Sequence, residues 1–316
     1  MTIDVLCLRP EADFSRVGVS VPAALKVAYR APDDAGFPAE LKSARALIMP
    51  AVGPKLMPAL FEGSGLKLIQ VTGAGVDRLD RAAIEGLGIP VANVPGGSNA
   101  AVAEYVTAAA ATLVRRLAWA SSEIRRGNYA SFRAKTLADN VGGLEGLTAG
   151  VVGLGVVGMA VARALHKAGC GIVYYDPHPT DPAGVAAIAA KAVPLAELLA
   201  CADIVTLHVP LLPATKSLIG AAEIAAMKPT AVLIQASRGG VVDEAALAAA
   251  LQSGRLGGAA VDVYSSEPPS PDNPLLKLSG EAAERTLLTP HIAGVTRQAS
   301  AFLFRAAWQN VERVLI

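Results

Sequence analysis

Residues 148–176 read TAGVVGLGVVGMAVARALHKAGCGIVYYD, and they give the clearest structural pattern in the chain. An apolar run is followed by glycines at 153, 155 and 158, by an amphipathic run, and by a second apolar run that ends at Asp176. A strand, a glycine turn, a helix and a second strand in this order form the fingerprint of a dinucleotide-binding βαβ unit. The stretch therefore predicts a parallel α/β sheet that binds a nucleotide at the start of the helix.

Each position of this fingerprint has a mechanical reason. Gly153 allows the tight turn, Gly155 lets the backbone approach a pyrophosphate, and Gly158 lets the helix pack closely on the strand. Asp176 accepts hydrogen bonds from the adenosine ribose, and its charge repels a 2′-phosphate, so we expect NAD rather than NADP. The cofactor residues predicted from the fingerprint are Gly153, Gly155, Val156, Val157, Gly158 and Asp176.

Composition limits the classes of protein to which the chain can belong. Its 316 residues favour two domains, and 53% hydrophobic with 17% charged residues suits a large buried core. A formal net charge of +1, without a basic stripe, argues against a nucleic acid or an anionic membrane as partner. No run of 18 apolar residues occurs, and MTIDVLCLRP at the start lacks the features of a secretory signal. We therefore expect a cytoplasmic protein.

Short apolar runs alternate with charged or Ala-rich segments along nearly the whole chain. The alternation predicts two doubly wound parallel-sheet domains. We expect a flavodoxin-like substrate domain formed by residues 1–98 and 291–316, and a Rossmann dinucleotide-binding domain formed by residues 99–290. A single long helix is expected from residue 99 to about 126, and its small apolar residues predict a homodimer through the cofactor domain.

Polar residues follow three strand-like runs where a βαβ core would otherwise be apolar, in residues 235–240, 262–269 and 289–294. The carboxyl ends of parallel strands face the ligand crevice, so Arg238, Glu267 and His291 can converge there. Arginine can hold a carboxylate through two hydrogen bonds, and histidine titrates near neutrality. A glutamate beside that histidine favours its protonated form. The three residues therefore suit acid–base chemistry on a carboxylate-bearing substrate.

Eight short motifs extend this pattern over most of the chain: GAGVD at 73–77, NVPG at 93–96, VAE at 102–104, GLGVVG at 153–158, HVPL at 208–211, SRGGVVDE at 237–244, DVYSSEPP at 262–269 and TPHIAG at 289–294. In type and order they resemble the D-isomer-specific 2-hydroxyacid dehydrogenase family. The resemblance implies that Arg238 binds the substrate's carboxylate and carbonyl, that His291 is the acid/base, and that Glu267 holds and tunes His291. It implies NAD as cofactor and no metal.

The resemblance also assigns residues with weaker individual signals. The Gly73-Ala74-Gly75 turn would present backbone N–H groups to the substrate carboxylate, which makes Ala74 and Gly75 substrate-binding residues beside Arg238 and His291. Asp262 would hold the nicotinamide carboxamide. The remaining residues implied to line the cofactor are Val209, Pro210, Ala236, Ser237, Arg238, His291 and Gly294.

The wall expected to face the substrate's far end is apolar. A phosphorylated substrate brings a charge near −2 that needs cationic partners, and Val71, Ala51 and Val52 supply none. We therefore predict a small unphosphorylated 2-oxo acid, such as glyoxylate, hydroxypyruvate or pyruvate, which the enzyme mainly reduces. Two alternatives stay open, namely a phosphoglycerate dehydrogenase-like enzyme and an NAD-sensing binding module of the same fold.

Overall fold

The computed structural model describes residues 3–179 and 181–316 and forms two compact units. The first unit comprises the residues up to 98 together with 295–316, and the second comprises residues 99–294. Each unit contains one fully parallel sheet flanked by helices, which confirms the predicted fold class. The division after Gly294 falls later than the expected return at residue 291, so His291 belongs to the second unit.

The first unit has five strands in the order β2-β1-β3-β4-β5. Its strands are β1 Val5–Cys7, β2 Val27–Tyr29, β3 Ala46–Met49, β4 Leu68–Val71 and β5 Val91–Ala92, and its α-helices are Glu11–Arg16, Phe37–Ser43, Arg81–Gly86 and Arg297–Leu315. Because side chains alternate along a strand, Leu47 and Ile69 enter one core while Ile48 and Leu68 enter the other. The helix Arg297–Leu315 covers the second of these cores with Trp308 and its neighbours.

The second unit has seven strands in the order β12-β11-β10-β9-β6-β7-β8, the doubly wound order expected of a dinucleotide-binding domain. Its strands are β6 Thr148–Val152, β7 Gly171–Tyr175, β8 Lys191–Ala192, β9 Ile204–Leu207, β10 Val232–Gln235, β11 Gly258–Val261 and β12 Thr286–Leu288. Its α-helices are Asn99–Val114, Leu117–Arg125, Tyr129–Ala138, Val156–Lys167, Pro182–Ala187, Leu195–Cys201, Ala221–Ala226, Glu244–Gln252 and Gly280–Glu284. The short edge strands β8 and β12 were not predicted from the sequence.

The prediction of one long helix over residues 99–126 was wrong. The helix ends at Val114, and a second helix begins at Leu117 after Arg116, which adopts a left-handed conformation with φ 55°. The break is stabilised by tertiary contacts: the Arg116 guanidinium forms an ion pair with Asp139 and lies 5.5 Å from the centroid of the Trp119 ring. No helix in the described part of the chain is long and apolar enough to cross a membrane.

Candidate active site

The glycine loop after β6 has the shape that the fingerprint predicts. Gly153 has φ 89°, and a Cβ added there would lie 2.7 Å from the carbonyl oxygen of His208. A Cβ on Gly158 would lie 1.9 Å from the carbonyl oxygen of Gly153, so only glycine fits between this helix and the loop. A Cβ on Gly155 would meet no atom within 4 Å, which leaves the loop open on that side.

The helix Val156–Lys167 begins directly at this open side. Gly155 is its N-cap and forms no side-chain capping bond. The first N–H groups of a helix lack intrahelical acceptors and carry partial positive charge. An open, uncapped and glycine-lined helix start fits the pyrophosphate of a dinucleotide. The contacts of the Val156 and Val157 N–H groups with that pyrophosphate stay a prediction.

Asp176, at the end of β7, ties the next strand to the glycine loop. Its Oδ2 accepts a hydrogen bond from the Leu154 N–H at 2.6 Å, and its Oδ1 accepts one from the His178 N–H at 2.8 Å. The residue is partly exposed, and each carboxylate oxygen retains a second lone pair that can accept from a ribose hydroxyl. This geometry is compatible with the predicted NAD preference.

His208, which follows β9, lies under the glycine loop. Its Nε2 is 2.9 Å from the Thr206 Oγ1, and its Nδ1 is inaccessible to solvent. Burial lowers the pKa of His208 to about 3, so the ring is neutral at physiological pH. The next residues, Val209 and Pro210, are partly or fully exposed at the end of the strand, where the resemblance implies cofactor contacts.

The turn that carries Arg238 is held by a buried glutamine at the end of β10. The Gln235 Nε2 donates to the Arg238 carbonyl at 2.9 Å, and its Oε1 accepts from the Ser237 N–H at 3.2 Å and from the Ser237 Oγ at 2.8 Å. The Arg238 Nη1 donates to the Ser237 carbonyl at 2.7 Å. Gln235 had no predicted role, although an amide at the end of an apolar strand is the sequence signal that indicates it.

Glu267 and His291 form a directly bonded pair. The His291 Nδ1 lies 2.8 Å from the Glu267 Oε2, and the other carboxylate oxygen accepts from the Tyr264 N–H at 3.1 Å. Both side chains are about one quarter exposed, at 26% and 24%. Because an ionised carboxylate only accepts hydrogen bonds, Nδ1 carries the proton, and Nε2 is the atom that can exchange a proton with a substrate.

The pKa of Glu267 lies below its ordinary value. Burial raises this pKa, but the hydrogen bond and charge of His291, the Tyr264 N–H and the charge of Arg238 outweigh burial. The carboxylate is therefore ionised at neutral pH and can stabilise an imidazolium beside it.

His291 occupies a left-handed backbone conformation, with φ 56°, that costs a non-glycine residue about 1–3 kcal/mol. Asp262, which is fully buried, holds the turn in this conformation. Its carbonyl accepts from the His291 N–H at 2.8 Å, and its carboxylate accepts from Ile292 N–H and Ala293 N–H, both at 2.8 Å, and from the Thr289 Oγ1 at 2.6 Å. The implied contact between Asp262 and the nicotinamide carboxamide stays a prediction.

In the first unit, the Gly73-Ala74-Gly75 turn follows β4. The Gly73 carbonyl accepts from the Val94 N–H at 2.9 Å, and the Ala74 carbonyl accepts from the Asn93 Nδ2 at 2.6 Å, while Ala74 itself is exposed. Hydrogen bonds thus fix the carbonyl groups of Gly73 and Ala74. The roles of Ala74 and Gly75 in carboxylate binding remain a prediction.

The same end of this sheet carries a cation that the sequence analysis missed. Arg78 is only 4% exposed, and its guanidinium donates to the carbonyls of Pro50 and Pro54, both at 2.8 Å. It thereby holds the loop that contains Ala51 and Val52. In the described residues, no group of three or more His, Cys, Asp or Glu side chains is placed to hold a metal ion.

Comparison with known families identifies the second unit. Residues 107–293 match the family described as D-isomer specific 2-hydroxyacid dehydrogenase, NAD binding domain. The description of this domain confirms the prediction that the cofactor is NAD.

Two curated relatives illustrate the range of activities in similar chains. The chain is 40% identical over 234 residues to a D-3-phosphoglycerate dehydrogenase of Archaeoglobus fulgidus, covering 74% of this chain and 42% of that protein. It is 35% identical over 248 residues to a glycerate dehydrogenase of Methylorubrum extorquens, covering 78% and 75%. The match spans 42% and 51% of the phosphoglycerate dehydrogenases of A. fulgidus and Methanocaldococcus jannaschii, about half their length.

Solved structures resemble the chain over nearly its full length. A D-lactate dehydrogenase from Aquifex aeolicus complexed with NAD and lactic acid superimposes with a TM-score of 0.82 at 27% identity, covering 98% of this chain and 94% of that one. The pyruvate reductase of Chlamydomonas reinhardtii superimposes with a TM-score of 0.78 at 30% identity, covering 99% and 96%.

Proposed function

Because the chain belongs to the D-isomer-specific 2-hydroxyacid dehydrogenase family, we propose that it interconverts a small 2-oxo acid and its D-2-hydroxy acid with NAD(H). The observation that carries the proposal is the bonded pair of His291 and Glu267, in the same unit as the glycine loop. NADH, when bound, supplies the hydride that the substrate's C2 accepts. We propose that reduction of the 2-oxo acid is the main direction.

Residues of the second unit perform the proton chemistry. Arg238 binds the substrate's carboxylate and orients the carbonyl through paired N–H donors. As the carbonyl carbon receives the hydride, its oxygen takes the proton from the His291 Nε2. Glu267, whose Oε2 lies 2.8 Å from the Nδ1, keeps the ring oriented and stabilises its charged form before the transfer. In the oxidative direction, the neutral imidazole removes the same proton.

The remaining predicted contacts complete the proposed complex. Val209, Pro210, Ala236 and Asp262 line the nicotinamide half of the cofactor, and Ser237 and Gly294 are further cofactor contacts. We further propose that the two units are a substrate domain and a cofactor domain. Within the first unit, Ala74 and Gly75 are the proposed substrate-binding residues, through their backbone N–H groups.

We propose an unphosphorylated substrate, such as glyoxylate, hydroxypyruvate or pyruvate. The loop held by Arg78 presents Ala51 and Val52, which offer no charge to a phosphoryl group. The Arg78 side chain itself is buried, and its Nε and Nη1 donate to backbone carbonyls. The phosphoglycerate dehydrogenase-like alternative is favoured by the 40% identical relative from A. fulgidus. Hydroxypyruvate and 3-phosphohydroxypyruvate form a matched pair for the test, since they differ only in the phosphoryl group. If the kcat/KM for 3-phosphohydroxypyruvate is well above the kcat/KM for hydroxypyruvate, the alternative is established.

The activity itself is tested by NADH oxidation with a panel of 2-oxo acids. The proposal expects loss of NADH absorbance with at least one small 2-oxo acid, and the D-hydroxy acid as product where the product is chiral. Tight NADH binding without turnover of any acid in the panel would instead support the NAD-sensing module.

A homodimer is the proposed assembly. Four large apolar side chains on the helices of residues 117–138 are exposed, namely Leu117, Ile124, Tyr129 and Leu137, with exposed fractions of 50%, 50%, 65% and 64%. Exposed apolar groups of this size on neighbouring helices suit a two-fold interface. Light scattering at micromolar concentration should give the dimer mass, and a monomer mass would contradict this proposal.

A further inference from the structure

A tyrosine from the first helix of the second unit reaches the turn that carries His291. The Tyr105 hydroxyl lies 2.7 Å from the Thr289 Oγ1, although the two residues are 184 positions apart in the sequence. Tyr105 belongs to the helix Asn99–Val114, whereas Thr289 directly follows β12. Neither the fingerprint nor the catalytic motifs assign Tyr105 a role.

The direction of these hydrogen bonds follows from proton counting. Thr289 has one hydroxyl proton, and its Oγ1 donates that proton to the buried Asp262 Oδ1 at 2.6 Å. The Tyr105 O–H must therefore donate to the Thr289 Oγ1. Burial, together with the charge of Asp262, raises the pKa of Tyr105 to about 12, so the phenol keeps its proton. The result is a directed chain of hydrogen bonds that ends on the Asp262 carboxylate.

This chain ends on the groups that determine the backbone conformation of His291. Asp262 binds the N–H groups of Ile292 and Ala293 as well as the Thr289 hydroxyl. The Thr289 carbonyl accepts from the Tyr264 hydroxyl at 3.1 Å, so Thr289 is fixed at both its backbone and its side chain. Thr289 lies two residues before His291 on the same turn, so a shift of Thr289 also moves the backbone of His291.

We propose that Tyr105 is a positioning residue for the acid–base step, acting through Thr289 and Asp262 on His291. The inference rests on the proposed function, because it concerns the group that transfers the proton. Tyr105 is not assigned a contact with substrate or cofactor. Its removal should therefore lower kcat while the affinity for NADH is unchanged.

Four variants and one control test the proposal. Tyr105→Phe removes only the phenolic oxygen, Thr289→Val removes both the acceptor and the donor, and Thr289→Ser restores a hydroxyl. The double variant Tyr105→Phe/Thr289→Val measures whether the two residues act as one unit. Thr107→Val is the matched control, because it also removes a hydroxyl hydrogen bond, from Thr107 Oγ1 to the Ala103 carbonyl at 2.8 Å, on the same helix.

The readouts are kcat, KM and the NADH dissociation constant measured by fluorescence. We expect kcat to fall about 3- to 10-fold for Tyr105→Phe, the range for loss of one hydrogen bond. Thr289→Val should lower kcat about 10- to 100-fold, because a small misplacement of a reacting group has effects of this size. Thr289→Ser should recover most of the rate, and adding Tyr105→Phe to Thr289→Val should change kcat less than twofold, on the order of measurement error for coupled residues.

A readout independent of turnover is the proton NMR signal of the imidazole N–H between His291 and Glu267. We expect this downfield signal in the wild type, and broadening or a shift of it in Tyr105→Phe and Thr289→Val but not in Thr107→Val. A wild-type kcat for Tyr105→Phe, equal losses in Thr107→Val, or additive losses in the double variant would each overturn the proposal. If the wild type turns over no 2-oxo acid, the proposed function fails, and the NMR signal alone then decides whether Tyr105 positions His291.

Discussion

Two aspartates in the second unit hold two functional loops, and they do so differently. Asp176 is partly exposed and binds the glycine loop through a single backbone group, the Leu154 N–H. Asp262 is fully buried, and its carboxylate binds the turn of His291 through the N–H groups of Ile292 and Ala293 and the Thr289 hydroxyl. The glycine loop gains its shape from glycines, whereas the turn of His291 gains its shape from Asp262.

Because the two aspartates differ in burial and in partners, we expect Asp176 to influence the choice of cofactor and Asp262 to influence the acid–base chemistry. The partly exposed Asp176 has lone pairs left for a ribose, so we expect a change there to alter which dinucleotide is preferred. Asp262 is fully buried and its carboxylate accepts from three donors, of which the Ala293 N–H is buried, so a change there leaves donors without acceptors. We expect variants at the turn of His291 to affect catalysis and stability strongly, and variants at Asp176 to affect mainly specificity.

The largest effect is expected for His291→Asn. Asparagine tolerates the left-handed conformation better than most residues, so the turn should survive while the acid/base is lost. We expect kcat to fall about 10²- to 10⁴-fold, with NADH affinity unchanged. The exposed His166→Asn serves as the control and should behave as wild type. A kcat within a few-fold of wild type would remove His291 from the reaction.

The next effect is expected for Asp262→Asn. The amide would turn an NH2 group toward the N–H of Ile292 or Ala293, leaving a buried donor unsatisfied at a cost of about 1–3 kcal/mol of unfolding free energy. Urea denaturation measures the loss, and a parallel loss of kcat is expected. Asp176→Asn is the matched control, since the same exchange at a partly exposed site should cost less. Equal stability of the two variants would contradict the comparison.

A smaller effect on cofactor preference is expected for Asp176→Asn. The charge that repels a 2′-phosphate is lost, so the preference for NADH over NADPH, expressed as the ratio of the two kcat/KM values, should fall about 10-fold. The turn of His291 is untouched, and kcat with NADH should change little. If the ratio stays at its wild-type value, Asp176 does not determine the cofactor preference.

The smallest effect concerns the acid limb of stability. The pKa of Glu267 is lowered in the folded protein, chiefly because the hydrogen bond and charge of His291 outweigh its burial. Because its pKa is lowered on folding, the ionised Glu267 stabilises the fold at pH values above its ordinary pKa of 4.5. This contribution to the free energy of unfolding is lost as the pH falls through the pKa of Glu267 in the folded protein. The stability advantage of the wild type over Glu267→Gln should therefore shrink below about pH 4.5. A constant difference between the two proteins across that range would argue against ionic pairing with His291.

Much of the fold could be predicted because local sequence sets it. The glycines at 153, 155 and 158 serve local geometry, so their spacing alone indicates the loop and its helix. The strands that the sequence analysis missed, β8 and β12, contain two and three residues at the edges of the sheet, too few for an alternation to be visible. The break at Arg116 depends on its contacts with Asp139 and Trp119. Asp139 is distant in the sequence, and Trp119 belongs to no pattern that indicates a helix end.

The site was predictable in its residue types but not in its supports. Arg238, Glu267 and His291 stand out because they are charged or titratable groups at strand ends. Gln235 and Tyr105 act through hydrogen bonds whose partners depend on the tertiary fold. The spacing of residues in the sequence therefore does not predict their roles. Asp262 was visible, but the three hydrogen bonds of its carboxylate to residues 289–293 could only be read from the structure.

The most direct test of hydride transfer with proton donation by His291 follows the hydride itself. NADH deuterated at the transferred C4 position is incubated with hydroxypyruvate, glyoxylate or pyruvate, and the product is examined by mass spectrometry and chiral chromatography. We predict one deuterium at C2 of a D-2-hydroxy acid, or of glycolate from glyoxylate, with the wild type, and almost none with His291→Asn. Wild-type protein that binds NADH but leaves no deuterium in any of the three products would contradict the account.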